Sequence, residues 1–454
     1  MNIVIAGDGE VGAFLAKMLT GKDHNITIID SSRKQTDNVE SHSDLKALDG
    51  DPTSIDVLKD ADVKNADLLI SVLHDEKSNI VTCMLGKKMG AAKTIARVNN
   101  LEYFLANSVE IFNSAGIDEL VFPELIAADE CIDLISHVSA AEIVEFTDKK
   151  LFLQLFHLDE DSNLINKSVK TIKEEFKSGD FTFLIINRDN KSMSPLDTDV
   201  LQVGDFVLTL SKPKGKELLN NATGKEDVSI KNIMIVGGGR ICRMMIHKLD
   251  KDYNVKIIER NAERCNKLAA IVNNNTLVIN GDARDIELLE DEDINEMDAF
   301  IAVTDNSETN ILTCMLAKQF GVKKVIALMD SIDYIELAQR IGVDGIINKK
   351  LITASYITRF TLDADVSTIK FLSGIDAEVL EIRAKKGSYV TKRPVGSLHL
   401  PDGTVIGGVI RGYESHIVTD DFQIEADDRV VVLCFPDTVQ DTIKLFNRFK
   451  LFSN

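Results

Sequence analysis

Apolar and polar positions along the 454-residue chain follow two rhythms. Short runs rich in Val and Ile are separated by stretches whose apolar residues recur every three to four positions, a succession that predicts β-α-β units and a parallel sheet. In the first such region the runs predict strands at Ile3–Ala6, Ile26–Asp30, Ala47–Asp49, Leu68–Val72, Thr94–Val98 and Glu119–Phe122, with helices between them. The first helix carries Val11, Phe14, Leu15, Met18 and Leu19 at the spacing of one buried face, which seats it on the sheet.

The same pattern occurs twice. Asn2 to Gly12 reads NIVIAGDGEVG, and Asn232 to Cys242 reads NIMIVGGGRIC. Asp30 corresponds to Glu259 and Gly50-Asp51 to Gly281-Asp282, while Asn79 and Cys83 recur in step as Asn310 and Cys314. A register kept through several motifs marks a duplication. After each copy the texture changes to alternating strand patterns with turn signals at Asp189-Asn190, Gly204-Asp205 and Pro401-Asp402-Gly403. The expected fold class is α/β, with two Rossmann-like, doubly wound parallel-sheet domains, each followed by a small α+β, mostly β, domain. The boundaries read as 1–135, 140–220, 230–352 and 364–454, with polar Lys212 to Ser229 as the linker between halves.

Gly7-Asp8-Gly9-Glu10-Val11-Gly12 fits G-x-G-x-x-G at a strand end and helix start. Gly7 permits the tight turn, Gly9 lets the backbone approach a pyrophosphate, Gly12 lets the helix close on the strand, and the helix N-terminus favours phosphate. Asp30, closing the second strand, stands where a carboxylate accepts ribose hydroxyls and repels a 2′-phosphate, favouring NAD over NADP. Further candidates stand where other strands end: Asp51, as an adenosine contact or a turn former; Leu73 and His74, with His74 a polar loop residue rather than an acid–base catalyst; and Arg97, as a phosphate partner or half of a structural ion pair. The second copy retains Gly237, Gly238, Gly239, Glu259, Asp282, Thr304 and Asp305, but Cys242 replaces Gly12 and Leu328 replaces Arg97. Its binding is expected to be weaker or directed to a different nucleotide, with vestigial structure as the alternative. Cys242 reads as a small buried hydrophobe.

Composition narrows the partners. Lys and Arg total 52 against 72 Asp and Glu, a net charge of −20, so nucleic acid, which requires a basic footprint, is not expected. Hydrophobic residues at 44% and charged residues at 27% fit a soluble globular chain. Charge interrupts every apolar stretch well before the ~20 residues of a membrane span, and MNIVIAGDGEVG begins as a strand rather than a signal segment, so a cytoplasmic location is expected. Six scattered Cys without a CxxC pair predict neither a zinc site nor a disulfide framework, and no metal site is expected. The cluster Asp420-Asp421 through Asp427-Asp428 reads as a solvated acidic face, with a ligand contact as the alternative.

The duplicated order, GDGEVG with Asp30, and AVTDNSETN after a fourth strand resemble the TrkA potassium-uptake family over essentially the whole chain. The resemblance implies tandem RCK N-terminal and C-terminal domains in a cytoplasmic regulatory subunit, peripheral on the inner face of the cell membrane and bound to a Trk-type potassium channel or transporter subunit. It implies a homotetramer forming a ring of eight RCK units, with NAD(H), or ATP and ADP, binding the N-terminal domains. Nucleotide shifts such a ring through its differential affinity for two shapes. Carried over by position, the nucleotide residues are Gly7 to Val11, Asp30, Leu73, His74 and Arg97, with Gly237, Gly238, Gly239, Arg240, Ile241, Glu259, Thr304 and Asp305 in the second copy. Leu73 and His74 depart from the threonine pattern kept at Thr304. No enzyme activity is expected; the rival readings are an NAD-dependent oxidoreductase and a soluble nucleotide-sensing scaffold.

Overall fold

The computed structural model describes residues 1–447 apart from 8, 21–23, 32–44, 105, 177–178, 190, 224–228, 363–364, 373–374 and 376. The chain divides into two compact units: Met1–Ile126 with Lys349–Asp363, and Ala127–Asn348 with Ala364–Asn454.

The first unit is built on a six-stranded parallel sheet of β1 (Asn2–Ala6), β2 (Asn25–Asp30), β3 (Leu45–Asp49), β4 (Leu68–Ser71), β5 (Lys93–Arg97) and β6 (Glu119–Val121). Its order, β3-β2-β1-β4-β5-β6, reverses direction between β1 and β4. That reversal opens a crevice at the carboxyl ends of the strands. The central strands are apolar on both faces, and β4 is buried throughout, because helices cover both sides. The observed strands lie within two residues of the expected ones. Leu15 and Leu19 of the first helix, Glu10–Leu19, are buried as expected, whereas Val11, Phe14 and Met18 are only half-buried. A second helix, Lys349–Thr358, packs on this one, so its apolar stripe serves two neighbours.

The second unit holds three sheets. β12 (Asn232–Val236), β13 (Asn254–Glu259), β14 (Thr276–Asn280), β15 (Ala299–Ala302), β16 (Lys324–Leu328) and β17 (Gly345–Ile347) repeat the parallel order as β14-β13-β12-β15-β16-β17. The segment from Ala127 packs on this domain: Leu134 abuts Gly345, Asp129 pairs with Lys248 at 2.5 Å, and the buried Lys324 ammonium donates to the carbonyls of Val138 and Ala140.

The other two sheets are antiparallel. β7 (Glu142–Phe146), β8 (Leu151–His157), β9 (Phe181–Arg188), β10 (Lys191–Met193) and β11 (Phe206–Ser211) run in the order β10-β9-β11-β8-β7. β18 (Val366–Phe371), β19 (Glu378–Arg383), β20 (Val405–Arg411), β21 (Glu414–Ile417) and β22 (Arg429–Cys434) run β18-β19-β22-β20-β21, the same topology read from the other edge. One apolar core joins the two sheets, with Leu153, Leu184, Leu208 and Leu210 from one and Val379, Ile410, Val431 and Leu433 from the other. Each sheet is locked by a matched pair of residues. Arg188, ending β9, forks onto buried Asp205 at 2.7 and 2.7 Å, and Arg411, ending β20, forks onto buried Asp428 at 2.9 and 2.8 Å.

Two expectations are corrected. The polar stretch after Lys212 is not simply a linker: Pro213–Ala222 is a helix that buries Gly215, Leu219, Asn220 and Ala222, with Pro213 starting it and Asn220 accepting from Gln154 at 3.0 Å. Residues 224–228 lie outside the described residues. In the acidic cluster Asp420, Asp421 and Asp427 are exposed as expected, and the departure is Asp428, which is buried on Arg411.

Candidate functional site

In each copy a glycine turn leaves the first strand and starts the first helix. Gly7 has φ +107° and its N–H donates to the Ile29 carbonyl at 2.8 Å; Gly237 has φ +101° and donates to Ile258 at 2.9 Å. Both are in the left-handed half of backbone space, where a side chain is strained. Gly12 answers to a different need: a Cβ there would stand 1.8 Å from the Gly7 carbonyl oxygen. In the second copy Cys242 fills that place fully buried, with burial pushing its thiol up to about 12, so it packs as a neutral small side chain. The turn adjusts to admit it: Gly9 caps its helix at φ −53°, ψ 175°, and Gly239 at φ −72°, ψ −162°.

Gly9 and Gly239 are unlike the crowded glycines beside them, Gly7 and Gly12 in one turn and Gly237 and Gly238 in the other. Among the described residues, a Cβ on Gly9 would meet nothing nearer than His74 Nε2 at 3.9 Å, and one on Gly239 would meet nothing within 4 Å. Among the described residues neither first helix has a side-chain cap, so the leading N–H groups and the positive end of the helix dipole face this open space. Val11 is half-buried and Ile241 buried in their first turns, and Arg240 is exposed at the start of the second helix. Asp8 lies outside the described residues, as does the side chain of Glu10.

The ribose candidates close the second strands. Asp30 ends β2 half-buried. Glu259 ends β13 nearly buried, and its two oxygens accept from Gly238 N–H at 2.8 Å and Asn261 N–H at 2.7 Å. The acid therefore braces the glycine turn and still offers lone pairs to a ribose. Asp51 forms a turn with Thr53, whose N–H and hydroxyl at 2.8 and 2.7 Å hold its carboxyl below the usual range. Asp282 makes the matching turn with Arg284, whose guanidinium holds the carboxyl down to about 2. Arg97 Nη2 lies 3.6 Å from the buried Glu124, the structural alternative for that residue. His74 is exposed beside the turn, and Asp305 is at the surface.

In the second copy Gly237, Gly239, Glu259, Asp282, Thr304 and Asp305 line one cavity of ≈ 420 Å³, within the size range of small-molecule sites. Three arginines that the sequence reading missed, Arg260, Arg264 and Arg284, share its wall. Their counterparts by register in the first copy are Ser31, Gln35 and Thr53. The signal was available, since Arg260 directly follows the acid that ends the second strand. Thr304 turns its hydroxyl onto Asn310 Oδ1 at 2.6 Å. Among the described residues no group of His, Cys, Asp or Glu converges as a metal site, and no helix is long and apolar enough to cross a membrane.

The architecture and the turn chemistry have counterparts in known proteins. The TrkA-N domain family model matches residues 3–123 and again 233–349, and the TrkA-C domain model matches 379–447. The chain is 32% identical to the Trk system potassium uptake protein TrkA homolog 1 of Methanosarcina mazei, covering 98% of this chain and all of that one. It is also 32% identical to the Trk system potassium uptake protein TrkA of Vibrio alginolyticus, covering all of both. In fold it is similar to the GsuK RCK domain, with a TM-score of 0.60 at 16% identity over 98% of this chain and 94% of that one. It is likewise similar to the GsuK channel bound to NAD, with a TM-score of 0.59 at 16% identity over 97% of this chain and 78% of that one. Two glycine-turn domains in tandem, each followed by a β module of one topology, place the chain with its full-length relatives: it belongs to the TrkA family of Trk system potassium uptake proteins.

Proposed function

We propose that this chain is a nucleotide-binding regulatory subunit of a Trk-type potassium uptake system, working on the cytoplasmic side as a peripheral partner of the membrane subunit. The observation that carries the reading is the pair of glycine turns whose central glycines, Gly9 and Gly239, stand under open space at uncapped helix N-termini. The fold makes no use of a glycine there, but a phosphate does.

The residues fit adenine nucleotides. The helix N-terminus and Gly9 or Gly239 would receive phosphate, while Asp30 or Glu259 would accept ribose hydroxyls. NAD(H) suits the first copy, where Asp30 disfavours a 2′-phosphate. In the second cavity Arg260, Arg264 and Arg284 are balanced by Glu259, Asp282 and Asp305, and these arginines would supply a ligand such as ATP or ADP with phosphate partners that the first copy lacks.

Assembly into a ring of four chains is supported by apolar residues left exposed at matched positions. Val81 and Met84 on the helix Glu76–Met89 recur as exposed Leu312 and Met315 on Ser307–Gln319, one helical step apart on one face in each copy. A nucleotide that binds two ring shapes unequally would shift the ring between them, and the membrane subunit would read the shift. The role assigns binding, not turnover, to these residues.

Calorimetry on the full chain with NAD, NADH, ATP and ADP tests the reading, together with Asp30→Ala and Arg284→Ala variants. Binding should weaken selectively in one or both variants, bound NADH should not be consumed with carbonyl substrates, and the chain should co-purify with its membrane subunit. Absence of any nucleotide binding to the wild type would refute it.

A further inference from the structure

Two buried asparagines do more than satisfy themselves. Asn79 and Asn310 occupy matched positions on Glu76–Met89 and Ser307–Gln319 and are almost wholly inaccessible. In the first copy Asn79 Oδ1 accepts from Leu73 N–H at 2.7 Å and from the Ser71 hydroxyl at 2.8 Å. Its Nδ2 donates to the carbonyls of Leu73 at 3.0 Å and Arg97 at 2.8 Å. In the second copy Asn310 Oδ1 accepts from Thr304 N–H at 3.0 Å and from the Thr304 hydroxyl at 2.6 Å. Its Nδ2 donates to Thr304 at 3.0 Å and Leu328 at 2.8 Å. Each amide thus uses two donors and two acceptor sites to tie the residue after the fourth strand to the end of the fifth.

The residue so tied is the floor under the glycine turn. A Cβ on Gly237 would lie 2.9 Å from Thr304 N, and one on Gly7 would lie 3.2 Å from Leu73 N. The height of the turn over the strand ends is therefore set by where the asparagine holds this backbone.

A satisfied core amide alone would not explain how the hydroxyl travels. The first copy has Ser71 and Leu73; the second has Ala302 and Thr304. Residues two apart in extended chain share a face, so a hydroxyl at either position reaches the same Asn oxygen. One copy places it at the first position, the other at the third, and the oxygen keeps two donors in both.

We propose that Asn79 and Asn310 are positioning residues of the two nucleotide sites, setting the floor against which each glycine turn is held, with Ser71 and Thr304 as interchangeable sources of the hydroxyl each requires. They touch no ligand in this role. The inference rests on the nucleotide reading above and is tested separately from it.

The test uses the full chain with ADP and NADH as probes, each titrated calorimetrically, and thermal unfolding recorded for every variant. Ser71→Ala and Thr304→Val should each weaken nucleotide binding about 3- to 10-fold at their own site, a loss of about 1 kcal/mol by the affinity relation. The relocated pairs, Ser71→Ala with Leu73→Thr and Thr304→Val with Ala302→Ser, should recover affinity to within about twofold. Cys83→Ala and Cys314→Ala, on the same helices and equally buried, are the structural controls. They should lower the melting temperature without moving affinity. Wild type that binds neither probe overturns the nucleotide reading and this inference with it. Wild type that binds, with hydroxyl variants unchanged, controls equally weakened, or relocated pairs that fail to recover affinity, overturns this inference alone.

Discussion

Glycines in these turns answer to different demands, and substitution separates them. At Gly9 the backbone, φ −53° and ψ 175°, is open to any residue, and an added methyl would meet only His74 Nε2 at 3.9 Å. Gly239 is similar, with nothing within 4 Å. Gly→Ala at a compatible position removes freedom from the unfolded chain, a gain of about 0.4–1 kcal/mol. Both glycines are helix N-caps, where Ala is poorer than Gly by about 0.5–1 kcal/mol, so the two effects nearly cancel and the melting temperature should stay within about 3 °C of wild type. Nucleotide binding should not be spared. A phosphate oxygen bonded to the turn must approach N–H groups to ~2.9 Å, within the shell the methyl would occupy. Losing one charge-assisted hydrogen bond costs about 1.5–3 kcal/mol, or about 10- to 100-fold in affinity. Gly9→Ala and Gly239→Ala should therefore melt within about 3 °C of wild type without ligand and bind nucleotide at least ~10-fold more weakly at the altered site. Differential scanning fluorimetry with and without ADP or NADH, followed by calorimetry, reads both quantities. Unchanged affinity would refute a phosphate at the turn, and a melting temperature several degrees lower would refute the packing argument.

Gly12→Ala should behave in the opposite way, because its methyl would stand 1.8 Å from a backbone oxygen; overpacking of about 1–3 kcal/mol should lower the melting temperature even without ligand. In the β modules, Arg188→Ala leaves the buried Asp205 without its cation, holding only the Gln202 N–H, and should cost about 3 kcal/mol, whereas the double variant with Asp205→Ala should cost less than the sum of the single changes, as chemical denaturation of all three would show. Asp133 supplies a pH signature: the residue is exposed at the surface, yet partial desolvation, with Glu145, Asp129 and Glu130 nearby, raises its carboxyl to about 6 against the counteracting Lys149. Because the folded pKa lies above the unfolded value, the folded chain binds the extra proton between about pH 4 and 6, and this contribution to stability is lost as pH rises through that window. Asp133 retains contact with solvent, so the effect is discounted to about 1 kcal/mol. Asp133→Asn should be the more stable form at pH 7.5 and lose that part of the pH dependence in thermal melts between pH 4.5 and 7.5.

The parallel sheets were legible because each rests on local rules: β-branched runs bounded by turns, a first-helix stripe, and a glycine turn whose purpose is written in its spacing. Duplication made the reading firmer, since any feature kept in register between the two copies had to mean the same thing twice. What escaped was relational. Much of the first helix's stripe, at Val11, Phe14 and Met18, is half-buried in a unit that also contains Lys349–Thr358, a helix from the far side of the sequence, and no local pattern announces that neighbour. Asp428 looked like one acid in a solvated run because Arg411, which buries it, lies on another strand.

The same limit explains the reading of Leu73 as a departure. Judged one position at a time, the first copy has lost the threonine that the second keeps, and with it a hydrogen bond. Judged around Asn79 nothing has been lost, because Ser71, two positions earlier and on the same face, gives the asparagine its second donor at 2.8 Å, where Thr304 gives Asn310 its own at 2.6 Å. Selection on a buried acceptor acts on whether it is satisfied, not on which residue satisfies it. Positions facing the cavity behave differently. Ser31, Gln35 and Thr53 of the first copy stand in register with Arg260, Arg264 and Arg284 of the second. The two copies therefore keep the asparagine that ties the fourth and fifth strand ends and differ at the three positions that are arginine in the second cavity.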